Sequence, residues 1–147
     1  MFTFNIDLST ITKSINDLFN IDKRIAYNDV GILMLNAITT QFEQEGAYFN
    51  NGNTWEQLAP ATIRERKRLD FYPIHILRRR AGDAGLLGSI HFSVTDYGIE
   101  VGTNLFYAKF LQEGTKYMPA RPFFPSSDIP QILMDDIASV ISSIFFN

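Results

Sequence analysis

The spacing of apolar residues predicts a helix as the longest element of the chain, over Asp22–Glu45. Apolar positions recur there at intervals of three to five residues, which is typical of one face of a helix, and Gly46 is a natural stop at position C′. The apolar stripe consists of Ile25, Val30, Leu33, Ala37, Ile38 and Phe42. Ser9 is suited to N-cap a shorter helix that precedes it, over Ser9–Phe19.

Further elements follow from turn residues and from periodicity. Pro60 suits the first turn of a helix that runs to about Arg68 and is broken at Phe71-Tyr72-Pro73. Residues 74–80 suit either a further helical turn or an extended arm, and the glycines of residues 82–85 indicate a flexible joint. A last helix is predicted over Ile129–Phe146, capped by Asp128. Its apolar stripe is Leu133, Ile137, Val140, Ile141 and Ile144.

Strict alternation predicts a β-hairpin in the second half of the chain. Ile90, Phe92 and Val94 alternate with polar residues, residues 96–98 make a turn, and Ile99 and Val101 continue the alternation. An isolated hairpin is marginal in water, so helices or more strands must cover its apolar face. The predicted fold class is therefore α+β, with a long N-terminal helix region, a small antiparallel sheet that contains the hairpin, and a C-terminal helix.

The stretch from Gly102 to Pro125 is the most informative part of the chain. A strand end leads into a short amphipathic helix over Asn104–Glu113 that Gly114 ends, and prolines then recur at every third position. Proline spacing of this kind favours an extended conformation. No residues in this stretch stand at catalytic spacing, so we interpret it as an assembly element that another protein or another copy contacts.

Composition limits the class of protein. A chain of 147 residues, 46% hydrophobic and 20% charged, predicts one globular domain over residues 1–147. The absence of cysteine excludes disulfides and thiolate metal sites. The first residues lack the pattern of a secretory signal, and no apolar run is long enough for a membrane helix. We therefore expect a soluble protein made in the cytoplasm, with no membrane partner.

The distribution of charge is more informative than the net charge of −3. Residues 64–80 contain seven basic and two acidic residues, a net charge of +5, so the remainder of the chain carries −8. The basic residues that suit an acidic partner are Arg64, Lys67, Arg68, Arg78, Arg79 and Arg80. Three interpretations stay open: contact with nucleic acid, contact with the acidic surface of a neighbouring copy, and simple surface solvation.

Candidate catalytic chemistry is sparse. His75 lies between two isoleucines, and His91 lies on the polar side of a predicted strand. Neither has nearby in the sequence the polar or ligating residues that a catalytic base or a metal site needs. No metal, calcium, nucleotide or serine-hydrolase motif is present. We expect no catalytic residue, no cofactor, no metal and no small-molecule substrate. A non-specific nucleic-acid-binding domain is the alternative function, because the arginines suit phosphates but no base-reading motif accompanies them.

Several short motifs, in order, resemble the bacteriophage virion morphogenesis, or tail completion, proteins and the related minor tail-component proteins. They lie between Thr54 and Pro125, about half of the chain. The motifs are Trp55-x-x-Leu58, Thr62 with the arginines after it, Ile76-Leu77, Gly85-x-Leu87-x-x-Ile90, Val101-Gly102-Thr103, Tyr107-Ala108, Glu113-Gly114-Thr115 and Pro119-Ala120-Arg121-Pro122-Phe123.

The resemblance implies a non-catalytic subunit of the neck or the tail end, in a ring that is commonly six-fold. Its partners would be copies of itself and the connector, neck and tail proteins, with non-specific proximity to DNA, in a virion assembled in the host cytoplasm. A ring uses a heterologous interface, in which one patch meets a different patch of the next copy. The residues predicted to form it are Tyr107, Glu113, Arg121, Phe123 and Phe124. Packing of the two phenylalanines within their own domain is the alternative.

Overall fold

A 21-residue helix, α1 (Lys23–Glu43), is the longest element of the computed structural model, which describes residues 1–10, 12, 22–77, 85–126 and 129–146. Asp22 caps α1, and its carboxylate accepts a hydrogen bond from the Arg24 amide at 2.9 Å. The stripe predicted for this helix is confirmed at Val30, Ala37, Ile38 and Phe42, and Leu33 is half-buried. Ile25 is exposed, and Ala26 and Tyr27 are buried in its place.

The end of α1 differs by one residue from the prediction. Glu45 occupies position C′ with φ at 49°, and Gly46 follows it, also with a positive φ, of 99°. The Glu45 amide donates to the Phe42 carbonyl at 3.2 Å and the Gly46 amide to the Gln41 carbonyl at 2.9 Å. This pair of bonds is a Schellman motif, which satisfies carbonyls that the helix end would otherwise leave without donors.

Three antiparallel strands form one sheet in the order β1-β3-β2. They are β1 (Phe2–Asp7), β2 (His91–Val94) and β3 (Gly98–Thr103), with Phe2 opposite Thr103 and His91 opposite Gly102. The predicted hairpin is confirmed as β2 and β3, and the α+β class is confirmed with it. Strand β1 was not predicted, and it makes β3 the central strand, which is why β3 is buried almost throughout.

The sheet packs against α1 through a close approach at Gly31. A Cβ atom at this position would lie 2.2 Å from the ring of Phe92 in β2. The helix and the strand therefore meet at a distance that only glycine allows. The buried side chains of α1, the sheet and the C-terminal helix form one hydrophobic cluster with Trp55, Phe123 and Phe124.

Four further helices complete the described structure: α2 (Pro60–Arg68), α3 (Leu86–Ser89), α4 (Ala108–Glu113) and α5 (Gln131–Phe146). Helix α2 begins at its proline as predicted, and Leu133, Ile137 and Ile141 of α5 are buried as predicted. Helix α4 is shorter than predicted, and residues 74–77 are not helical.

Part of the sequence prediction falls outside the described residues. This applies to most of the helix expected over Ser9–Phe19, to the Asp128 cap and to residues 82–84 of the joint. Ser9 is already helical, and its amide donates to Asp7 Oδ1 at 2.9 Å, so Ser9 lies within the helix and not at its N-cap. Within the described ranges, no helix combines the length and the apolar character that crossing a membrane requires.

Candidate assembly surface

Three side chains hold the segment over residues 121–124 in place. The Gln112 amide oxygen accepts hydrogen bonds from the Phe123 and Phe124 amides at 3.0 Å each, and its nitrogen donates to the Phe124 carbonyl at 3.1 Å. The Pro122 carbonyl accepts from Gln41 Nε2 at 2.9 Å and from Trp55 Nε1 at 2.8 Å. Since an extended segment has no ladder of its own, these bonds replace the ones that a sheet would supply.

Arg121 belongs to this network and serves the fold of its own chain. Its Nε donates to the Glu56 carbonyl at 2.9 Å and its Nη2 to the Gln57 carbonyl at 3.0 Å. The Arg121 amide donates to the Leu111 carbonyl at 2.7 Å, and only 7% of the residue is exposed. The Arg121 backbone and two of its five side-chain N–H donors are therefore bound within its own chain, which the sequence did not predict.

Phe123 and Phe124 lie in the core, which corrects their assignment to an oligomer interface. Both are buried, and their rings lie 4.5 Å apart between centroids. Phe123 also contacts Phe42 at 5.9 Å, and Phe124 stacks on Phe2 at 5.6 Å. The alternative, packing within their own domain, is the one that the structure supports. Buried rings of this kind cannot anchor a neighbouring copy without unfolding part of the core.

The loop that precedes this segment, residues 114–120, is closed by its own backbone contacts. Gly114 has φ at 75°, and a Cβ atom there would lie 2.7 Å from the Ala120 nitrogen, so only glycine fits where the loop closes. The backbones of Thr115 and Met118 bond to each other at 2.9 and 3.3 Å. Tyr117 lies at the tip, 87% exposed, with Lys116 Nζ 4.8 Å from its ring centroid.

Helix α4 adds exposed side chains beside this loop. Phe106, which precedes the helix, is 84% exposed, and Phe110 is exposed one turn later. Glu113 is exposed and Tyr107 is half-buried, so these two predicted interface residues remain accessible. We define the α4 surface as Phe106, Lys109, Phe110, Glu113 and Tyr117. Exposed aromatic side chains on a rigid support are typical of binding surfaces.

A groove of about 740 Å³ lies next to the α4 surface. Its walls come from α2, from residues 56–59 and 76–77, from α4 and from residues 117–119. Tyr107 and Tyr117 line the groove, and so do the two arginines Arg66 and Arg121. The groove therefore combines apolar walls with positive charge.

The predicted basic residues do not form one free surface. Arg68 donates to both carboxylate oxygens of Glu65, at 3.0 and 2.6 Å, and this pairing raises the pKa of Arg68. Arg66 binds the backbone carbonyls of His75 and Ile76. Arg64 and Lys67 are exposed on α2 without an ion pair in the described part of the chain. The remaining three, Arg78, Arg79 and Arg80, lie outside the described residues.

Neither histidine side chain lines the groove, although the His75 carbonyl accepts a hydrogen bond from Arg66, which does. His75 Nδ1 is 3.8 Å from a carboxylate oxygen of Glu45, and His91 is exposed with Nδ1 3.1 Å from the Ser89 carbonyl. Among the described residues, no group of three or more histidine or acidic side chains is placed to hold a metal ion.

Sequence reasoning missed the two glutamines that organise the 121–124 segment. Gln41 is buried on the apolar face of α1, between Ile38 and Phe42, and its Oε1 accepts the Phe49 amide at 2.8 Å. A polar residue in a position that the helical period assigns to the core was the available signal. Gln112 gave no such signal, because its three bonds are set by the fold around it.

The structure is that of a small α+β protein that exposes aromatic side chains on one helix and on the loop after it. Comparison with known families identifies the family. The chain belongs to the phage virion morphogenesis family, which it matches over residues 6–136. A phage virion structural or assembly role and an association with the virion follow from this membership. No curated protein and no solved structure matches the chain significantly.

Proposed function

We propose that this protein is a structural subunit of the head–tail junction or of the tail end, which acts in tail completion or head–tail joining as part of a homo-oligomeric ring. The observation that carries the proposal is the family match, which spans strands β2 and β3, the groove and most of the α-helical structure. The protein acts by binding, with no catalytic step, and its partners are further copies of itself and the neighbouring neck and tail proteins.

The α4 surface supports a role in assembly. Two phenylalanines and a tyrosine are displayed there although a hydrophobic core is available in the same chain. Contact with a partner removes this apolar area from water, which is the main favourable term in protein association. The hydrogen bonds of the 121–124 segment fix the loop beforehand, so little conformational entropy is lost on binding.

Non-specific nucleic-acid binding is a second candidate, supported by the exposed Arg64 and Lys67 of α2. Both project from one helix at a spacing of three residues, which places them on the same side. A monomer that uses such contacts would bind duplex DNA with an affinity that falls steeply as salt rises, because phosphate contacts release counterions. In a ring around a DNA passage, the same two side chains would lie near the DNA without binding it tightly.

The experiment is to purify the protein, measure its mass by light scattering over a range of concentrations, and image it by negative-stain electron microscopy. We expect closed rings, and we expect Phe106→Ser with Phe110→Ser to weaken their formation. Ile25→Ser is the matched control, because Ile25 is an exposed apolar residue on α1, away from this surface. A monomer with micromolar, salt-sensitive affinity for duplex DNA would favour the second candidate.

A further inference from the structure

Arg121 is a buried cation without a carboxylate partner in the described part of the chain. Its two side-chain hydrogen bonds go to neutral carbonyls, and no ion pair includes it. A guanidinium has five N–H donors, so three remain unused. Buried charges are normally paired, because removing a charge from water is costly when nothing compensates it.

The surroundings of Arg121 indicate where an anion that balances its positive charge would bind. The residue lines the groove, which is open to solvent on one side and large enough to admit side chains from outside. Glu56 also lines the groove, but its side chain is exposed and forms no ion pair with Arg121. The site therefore suits an anionic group that enters from another molecule.

The anion must be carried on a protruding side chain. A duplex backbone presents its phosphates on a broad, rigid surface and is reached by projecting cations such as Arg64 and Lys67, whereas Arg121 is 7% exposed. A carboxylate at the end of an aspartate or glutamate can enter a groove, and it matches the planar fork of a guanidinium.

This chain carries a surface with complementary chemistry on α5. Ile132 is 61% exposed, and Asp135 and Asp136 are exposed three and four residues later, so the three lie on one side of the helix. We call this set the α5 face. An apolar side chain beside two carboxylates fits a groove that has apolar walls and the incompletely paired guanidinium of Arg121. None of the described side chains of α5 lines the groove, so the α5 face and the groove are distinct surfaces.

We propose that the α5 face of one copy docks into the Arg121 groove of the next, and that Asp135 or Asp136 supplies the carboxylate that Arg121 lacks. The contact joins two different patches of identical chains, which is the heterologous arrangement from which closed rings are built. The inference rests on the ring assembly proposed above and identifies the residues that form its subunit contact.

The chain contains no cysteine, which permits a direct test by site-specific cross-linking. Thr62→Cys places a thiol on the groove wall and Ile132→Cys places one on the α5 face; each is an exposed position. The two full-length variants are mixed and treated with a short bis-maleimide. We expect a mixed covalent dimer, whereas Thr62→Cys mixed with Glu43→Cys, an exposed position on α1, yields little. Equal yields from the two mixtures, or no mixed dimer, would overturn the inference.

Charge reversal on the α5 face gives an independent readout. Asp135→Lys with Asp136→Lys removes the carboxylates and adds repulsion, so self-association should weaken about thirty-fold or more. Glu43→Lys is the control and should change it little. Rings that persist unchanged in the double variant would refute the α5 contact and leave the ring proposal standing. Loss of the ring role itself would show instead as normal particles without the gene, whatever the cross-linking result.

Discussion

Replacing Arg121 with alanine should destabilise the isolated subunit. The substitution removes two charge-assisted hydrogen bonds, to the carbonyls of Glu56 and Gln57 at 2.9 and 3.0 Å. Bonds of this type contribute about 1.5–3 kcal/mol each. Removal of an incompletely paired buried charge offsets part of the loss, so we expect the free energy of unfolding to fall by about 2–4 kcal/mol. For a chain of this size the melting temperature should drop by roughly 5–15 °C.

The assay is urea unfolding of the monomer at a concentration below that of self-association, because oligomerisation would add to the apparent stability. Arg121→Lys keeps the positive charge but not the planar guanidinium, so its free energy of unfolding should fall by an intermediate amount. Arg64→Ala, an exposed control on α2, should stay within about 0.5 kcal/mol of the parent protein. If Arg121→Ala also stayed within that range, the assignment of Arg121 to the fold of its own chain would be wrong.

Three further predictions concern the core and the pH dependence. Gln112→Ala should lower the free energy of unfolding by about 2–3 kcal/mol in urea melts, because three backbone bonds of the 121–124 segment lose their partner; an unchanged midpoint would show that water replaces the amide. Gly31→Ala should cost about 1–3 kcal/mol by overpacking against Phe92, and an unaffected melting temperature would contradict the close helix–strand approach. Hydrogen bonds from the Ser9 side chain and backbone lower the pKa of Asp7 below its ordinary value of 3.8, so its contribution to stability is present above that pH and is lost as the pH falls through the lowered pKa. In Asp7→Asn the free energy of unfolding should therefore fall less steeply as the pH is lowered into the acid range. An unchanged dependence on pH would argue against these bonds.

The elements that sequence reasoning found are those with a strong local signal. The stripe of α1, the proline at the start of α2 and the alternation of β2 and β3 each depend on neighbouring residues, and each is confirmed. Strand β1 alternates as well, with Phe2, Phe4 and Ile6 on one face, but its partner β3 lies more than ninety residues away. The pairing of strands this distant along the chain depends on the packing of the whole core, so a local sequence pattern cannot predict it.

The site residues were harder to predict because burial depends on tertiary structure. Arg121, Phe123 and Phe124 stand in a proline-spaced segment that reads locally as an exposed arm. Hydrogen bonds from Gln41, Trp55 and Gln112, all distant or hidden from a local pattern, fold that arm into the core. In the proposed assembly the segment acts indirectly, because it holds one end of the loop that displays Tyr117.

The central claim, a role in joining or completing the tail, is tested most directly by electron microscopy of particles made by the encoding phage after deletion of this gene. The proposed function predicts filled heads beside separate or unfinished tails, and restoration of whole particles when the protein is supplied from a plasmid. Tails of uncontrolled length would assign the protein to the tail end in particular. Normal, infectious particles in the absence of the gene would contradict the account.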